Sequence, residues 1–153
     1  MKKLQLVIFF LVINLGSLAL GSWLMNDGPR TDWYFNLNRA PWSPPGWLFG
    51  VAWTTIMVCF SILLAELFSK KASKNIKIAF TLQVFLNIMW NYIFFNQHMI
   101  LLGLINLILL TVIIYYIFFK TKEEAPKYRF LLLPYMIWSV LAISLNTYIL
   151  IYN

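Results

Sequence analysis

The sequence predicts an all-α polytopic membrane protein, a bundle of five transmembrane helices with a long loop between the first and second capping its outer end. Three observations carry this. The chain is 61% apolar and only 11% charged, against about 45–50% and about 25% in soluble domains. Its apolar residues gather into five stretches of about twenty residues, the length that crosses a bilayer. Basic residues are dense in every second connection and sparse in the others. Backbone groups in lipid must bond within their own segment, so each stretch is a helix.

The spans run over about 4–25, 45–68, 76–95, 99–119 and 130–152 of a single domain, 1–153. The first follows Lys2 and Lys3, yet its apolar run is longer than a signal-peptide core. Trp23 and Met25 continue it past Ala19, so it reads as a retained helix. Gly16 and Gly21 in it suit close helix packing, and the isolated Asn14 suits a bond to a neighbouring helix. The loop 26–44 is too long for a simple turn. Trp33, Tyr34, Phe35 and Trp42 make it unsuited to disorder, so it is expected to fold over the bundle. The second span opens after Pro44 and carries Glu66, the only acid in any span, which reads as an inner-surface ion pair beside Lys70 or a snorkelling group. The third carries several amides. A short turn around His98, read as solvated, leads to the fourth, whose single amide Asn106 reads as structural. The fifth follows Lys127 and Arg129.

With 12 basic and 5 acidic residues the chain carries +7. Lys2 and Lys3, then Lys70, Lys71, Lys74 and Lys77, then Lys120, Lys122, Lys127 and Arg129 fall on one side, and Arg30 and Arg39 on the other. The positive-inside rule then places the N-terminus in the cytoplasm and the C-terminus with loop 26–44 outside. A polybasic patch for lipid or nucleic acid competes for the same charge, but topology already accounts for it and no nucleic-acid partner is expected. One Cys and one His exclude a disulfide framework, a zinc site and a Cys/His nucleophile pair. No metal is expected and no cofactor is required. The lipid bilayer is the obligate partner, and lysine-rich inner loops suit a bacterial plasma membrane.

The seven Trp residues are the unusual entry. An interfacial aromatic belt accounts for Trp23 and Trp47. It accounts poorly for Trp53, Trp90 and Trp138, which lie inside helices beside polar residues. On the third helix Gln83, Asn87, Trp90 and Asn91 are spaced to share one face. On the fifth Trp138, Ala142 and Asn146 share a face with Leu145 beside it. Intramembrane amides point into the bundle or toward a cavity, so cross-helix bonding and ligand binding are both open readings. An aromatic, amide-lined cavity suits a large, flat, mostly apolar molecule: a tetrapyrrole, a sterol or a polyaromatic drug. Arg30 and Arg39 stand where they would meet the carboxylates of a porphyrin.

Three motifs make a family resemblance. The run Trp33-Tyr34, then Leu37-Asn38-Arg39-Ala40-Pro41-Trp42-Ser43-Pro44-Pro45-Gly46-Trp47-Leu48-Phe49-Gly50 and Trp53, resembles the first-loop and second-helix signature of the TspO/MBR family. These are the tryptophan-rich sensory proteins, whose mitochondrial members are the translocator protein or peripheral benzodiazepine receptor. Gln83, Asn87, Trp90 and Phe94-Phe95 resemble its third-helix motif, and Pro134-Tyr135, Trp138, Ala142 and Leu145-Asn146 its fifth.

The resemblance implies a five-helix bundle, often a homodimer, binding porphyrins such as protoporphyrin IX and benzodiazepine or isoquinoline drugs. Animal members also bind cholesterol. It places Tyr34, Trp53, Asn87, Trp90, Trp138, Ala142 and Leu145 at the ligand, beside the motif residue Phe49 and the face residues Gln83, Asn91 and Asn146. It also implies a sensor or translocator role, with light-dependent porphyrin breakdown using Trp53 and Trp138 as the one catalytic reading. The chain departs from the family at three places. Gly50-Val51-Ala52 lacks the proline often found before the second-helix Trp, Asn106 replaces a common acid, and Tyr148 onward lacks the basic residue of the sterol motif. A small-molecule or drug exporter is the alternative function, resting on Glu66 as a proton-coupling acid.

Overall fold

The computed structural model describes residues 2–153. Its helices are α1 (Lys3–Leu24), α2 (Asp32–Asn36), α3 (Gly46–Ser69), α4 (Lys74–Asn91), α5 (Ile100–Lys120) and α6 (Leu133–Tyr152), with no strand among the described residues. All but α2 are long and apolar enough to cross a membrane.

Local chemistry explains where the helices begin. At α1 the Gln5 side chain reaches back to the Lys2 N–H at 2.9 Å, satisfying a donor that the helix leaves unpaired. Ser73 caps α4 by accepting from the Ile76 N–H, and Thr31 caps α2 by accepting from the Tyr34 N–H, the usual role of a short hydroxyl side chain at this position. Two ends differ from the sequence expectation. The third span is α-helical only to Asn91 and finishes as a π-turn over Tyr92–Asn96. The fifth opens with a 3₁₀ turn, Tyr128–Leu132, before the α-helix starts at Leu133. Pro134 lies in its first turn, where a missing N–H removes no helix bond. The loop expected to fold over the bundle contains a 3₁₀ turn, Gly28–Arg30, followed by α2.

The long helices form a ring in the order α3, α1, α4, α5, α6. The ring closes from α6 to α3 chiefly through the Tyr128–Leu132 turn at the lysine-rich end. Two apolar clusters divide the bundle along its length. The larger fills the lysine-rich half, where Phe10, Phe60, Phe68 and Phe80 meet edge to face at centroid distances of 4.7–6.4 Å, the geometry aromatic quadrupoles favour. The smaller joins Phe94, Phe95 and Ile149 to Trp33, Tyr34 and Leu37 of the lid.

Polar groups cross-link the helices. Asn14 of α1 donates to Ser61 of α3 at 2.8 Å, and Asn106 of α5 to the Leu86 carbonyl of α4 at 2.9 Å. At the lysine-rich end Glu66 is held from two sides, by Lys3 at 2.6 Å and Lys70 at 2.8 Å. Lys3 also donates to the Tyr128 hydroxyl. The pair expected with Lys70 alone is therefore a network tying α1, α3 and the turn before α6.

Candidate functional site

Between the two apolar clusters lies a cavity of about 760 Å³, within the roughly 300–1,000 Å³ range of small-molecule sites. Its lid is the segment from Asn26 to Pro44, and aromatic pairs hold it down. Trp33 meets Phe94 at 5.6 Å, Tyr34 meets Phe95 at 5.4 Å, and Trp42 meets Tyr148 at 5.4 Å. The Trp42 indole N–H donates to Ser144 at 3.2 Å. Asn38 is clasped to Asn153, its backbone N–H donating to the Asn153 side chain at 2.9 Å. His98 is exposed, as a solvated turn should be, but it also stacks on Trp33 at 4.0 Å with ring planes 12° apart.

Nine of the residues singled out in the sequence line this cavity: Tyr34, Phe49, Trp53, Asn87, Trp90, Asn91, Ala142, Leu145 and Asn146. They come from the lid, α3, α4 and α6. Helix periodicity put the α4 group on one face, and the ring order turns that face inward. Trp90 lies flat on Phe94, with centroids 5.1 Å apart and planes 9° apart, giving a platform for an aromatic ligand.

Two of the expected residues stand behind the wall. Trp138 is buried and meets the back of Phe49 edge to face at 5.2 Å. Gln83 lies one turn below Asn87 and donates to the Tyr135 hydroxyl at 2.9 Å. That hydroxyl in turn donates to Asn87 Oδ1 at 3.5 Å. With its oxygen engaged below, the Asn87 amide has its N–H groups left for the cavity side. Tyr135 also carries the Trp53 ring edge-on at 5.7 Å, so one buried tyrosine supports two walls.

Polar groups without partners mark the ligand-facing chemistry. Asn146 is 2% exposed, and neither atom of its amide has a partner. The Trp90 indole N–H is likewise buried and unpaired. A buried polar group left unpaired costs about 1–3 kcal/mol, a cost that polar atoms of an occupant would offset at these two residues. Arg30 and Arg39 line the mouth together with Asp27, and the Arg39 guanidinium lies 5.2 Å from the Tyr34 ring.

Sequence reasoning missed part of the lining: Leu18 and Ser22 of α1, Met25 just after it, and Gly46, Gly50 and Thr54 of α3. The signal for the second group was present, since Gly46, Gly50 and Thr54 are spaced i, i+4, i+8.

The model of the TspO/MBR family matches residues 8–152. The tryptophan-rich protein TspO of Archaeoglobus fulgidus is 31% identical over 159 aligned residues, covering 100% of this chain and 99% of its own length. The protein CrtK of Rhodobacter capsulatus is 34% identical, covering 74% of both chains. The human translocator protein is 28% identical, covering 90% of this chain and 83% of its own. Five apolar helices, a lidded aromatic cavity and a match along nearly the whole chain lead to one statement: this is an integral membrane protein that belongs to the TspO/MBR family.

Proposed function

We propose that the protein binds a porphyrin such as protoporphyrin IX in the cavity beneath the lid, acting as a tetrapyrrole sensor or translocator. The same site would take flat benzodiazepine- or isoquinoline-type drugs. The observation that carries this reading is the 760 Å³ cavity itself, walled by Trp53 and the Trp90–Phe94 stack and holding the unpaired Asn146 amide and Trp90 N–H. Apolar rings gain from stacking on indole and phenyl faces, while the ligand's acceptors meet the buried donors. Arg30 and Arg39 at the mouth would pair with carboxylates. Relatives named as a tryptophan-rich sensory protein and as translocator proteins agree with this role. The distribution of lysines supports an N-terminus in the cytoplasm of a bacterium and a lid on the far side.

Light-dependent breakdown of the bound porphyrin is a second reading, favoured by Trp53 at the cavity wall. The excited porphyrin would pass its energy to dioxygen, whose two oxygen atoms add across a methine-bridge double bond and open it to two carbonyls, with Trp53 as the oxidisable indole beside it. Trp138 would act only through Phe49, which screens it. The exporter alternative is weaker. Glu66 is held by Lys3 and Lys70, about 20 Å along α3 from Trp53 at 1.5 Å per residue.

Titrating purified protein with micromolar protoporphyrin IX in the dark tests the proposal. Saturable quenching of tryptophan fluorescence with a shifted porphyrin absorbance is expected. Unchanged absorbance and fluorescence would end it.

A further inference from the structure

One face of α3 changes environment halfway along the helix. Met57, Ser61 and Ala65 on this face are fully buried, with Ser61 bonded to Asn14 of α1. The same stripe continues toward the lid through Thr54, Gly50 and Gly46, and these three are exposed. A Cβ built on Gly46 or Gly50 meets no atom within 4 Å. Since α1 covers the lower half of the stripe, it must leave α3 above Met57.

The cause is visible on the other side of α1. A Cβ on Gly21 would sit 2.7 Å from the Asn91 side-chain nitrogen, so the absence of a side chain lets α1 close onto α4. Asn96 adds to this by donating to the Leu24 carbonyl at 3.0 Å. The lid end of α1 is drawn toward α4, and a slot opens between α1 and α3. Its edges are Leu18 and Ser22 on one side and Gly50 and Thr54 on the other, all of which line the cavity. The buried, unpaired Asn146 amide lies in that same cavity.

The slot lies at bilayer depth. Trp23 and Trp47, 73% and 70% exposed, mark the interface at the ends of α1 and α3. Thr54 lies about 10 Å deeper than Trp47 along α3. We propose that this slot is a lateral portal through which a membrane-dissolved flat ligand enters the cavity from the bilayer, with Gly46, Gly50 and Thr54 as its low sill and the lid remaining shut. This rests on the ligand reading above for its cargo, but not for its geometry.

The test uses full-length protein in nanodiscs, with Cys59→Ser removing the native free thiol. Ser22→Cys with Thr54→Cys is bridged by reducible bis-thiosulfonate reagents of graded length. Asn38→Cys with Asn153→Cys is bridged in the same way to lock the lid. Protoporphyrin IX is delivered from phosphatidylcholine vesicles, and uptake and release are followed by tryptophan quenching. The portal predicts that the slot bridge slows both rates at least tenfold, that reductant restores them, and that the lid bridge changes them less than twofold. Fast exchange through a bridged slot overturns it, as does exchange stopped by the lid bridge alone. If the unmodified protein takes up no porphyrin, the ligand class fails and the slot is read separately from a nitroxide on Gly50→Cys. Relaxation by oxygen well above that by a water-soluble nickel chelate supports an open, lipid-facing slot. A label shielded from both, as by a second copy packed on Gly46 and Gly50, overturns it.

Discussion

Tyr135→Phe isolates the polar support beneath the cavity. Tyr135 is buried, with its ring packed edge to face on Trp53 at 5.7 Å and Phe60 at 6.0 Å. Phenylalanine preserves that packing and removes one oxygen. The hydroxyl accepts from Gln83 Nε2 at 2.9 Å and donates to Asn87 at 3.5 Å. Gln83 is 1% exposed, and its own oxygen already lacks a partner, so the substitution leaves the whole amide bare. Hydrogen bonds between membrane helices average only about 0.6 kcal/mol, because groups left behind find other partners. A buried polar group that finds none costs about 1–3 kcal/mol. The Gln83 amide makes no side-chain bond besides the one to Tyr135, which selects the larger figure, a loss of about 2 kcal/mol. Gln83→Leu in the same background should recover most of it by removing the stranded amide. Reversible unfolding in mixed micelles of sodium dodecyl sulfate and a mild detergent measures both variants and the coupling between them. A Tyr135→Phe protein within about 0.5 kcal/mol of the parent, or a double variant no more stable than the single, would refute the reasoning.

Other substitutions separate the parts of the molecule. Gly21→Ala should lose the helix-propensity gain of up to about 1 kcal/mol and be less stable than Gly16→Ala, because its Cβ would meet the Asn91 side-chain nitrogen at 2.7 Å and force it aside. Gly16→Ala, with nothing within 4 Å, should be neutral or stabilising by up to about 1 kcal/mol through helix propensity; the same unfolding assay compares them. Glu66→Gln should lower stability by roughly 1 kcal/mol, since both lysines are half exposed and such pairs are weak. Porphyrin titration of Glu66→Gln should give the parent affinity, because the network lies at the end opposite the cavity. Trp42→Phe removes the bond to Ser144 and should raise hydrogen exchange across 28–45 severalfold while leaving α5 unchanged.

How much of this was legible beforehand varies with the physics involved. The five helices were plain because apolar length alone specifies a span. Their ends shifted where the backbone changed winding, as in the π-turn at Tyr92–Asn96, which no apolar count reveals. Periodicity placed Gln83, Asn87, Trp90 and Asn91 on one face, and that face does turn inward. It could not show that Tyr135 arrives from α6 to take Gln83 away from the cavity. Nor could it show that Phe49 stands in front of Trp138, since a helical wheel gives direction without depth. His98 reads as a solvated turn until Trp33 is laid on it from the lid. The Gly46–Gly50–Thr54 spacing was in the chain, but its meaning depends on the lean of α1, which Gly21 and Asn91 set from the other side.

The central claim is that a flat ligand occupies the space beneath the lid. Ala142 lines that space, and Ala142→Phe would fill it from α6. Protoporphyrin IX titrated in the dark into parent and Ala142→Phe proteins in nanodiscs, read by tryptophan quenching, tests the claim most directly. The account predicts saturable one-to-one binding to the parent and at least a tenfold loss in the variant. Equal affinity in the two proteins, or no saturable binding to the parent, would contradict it.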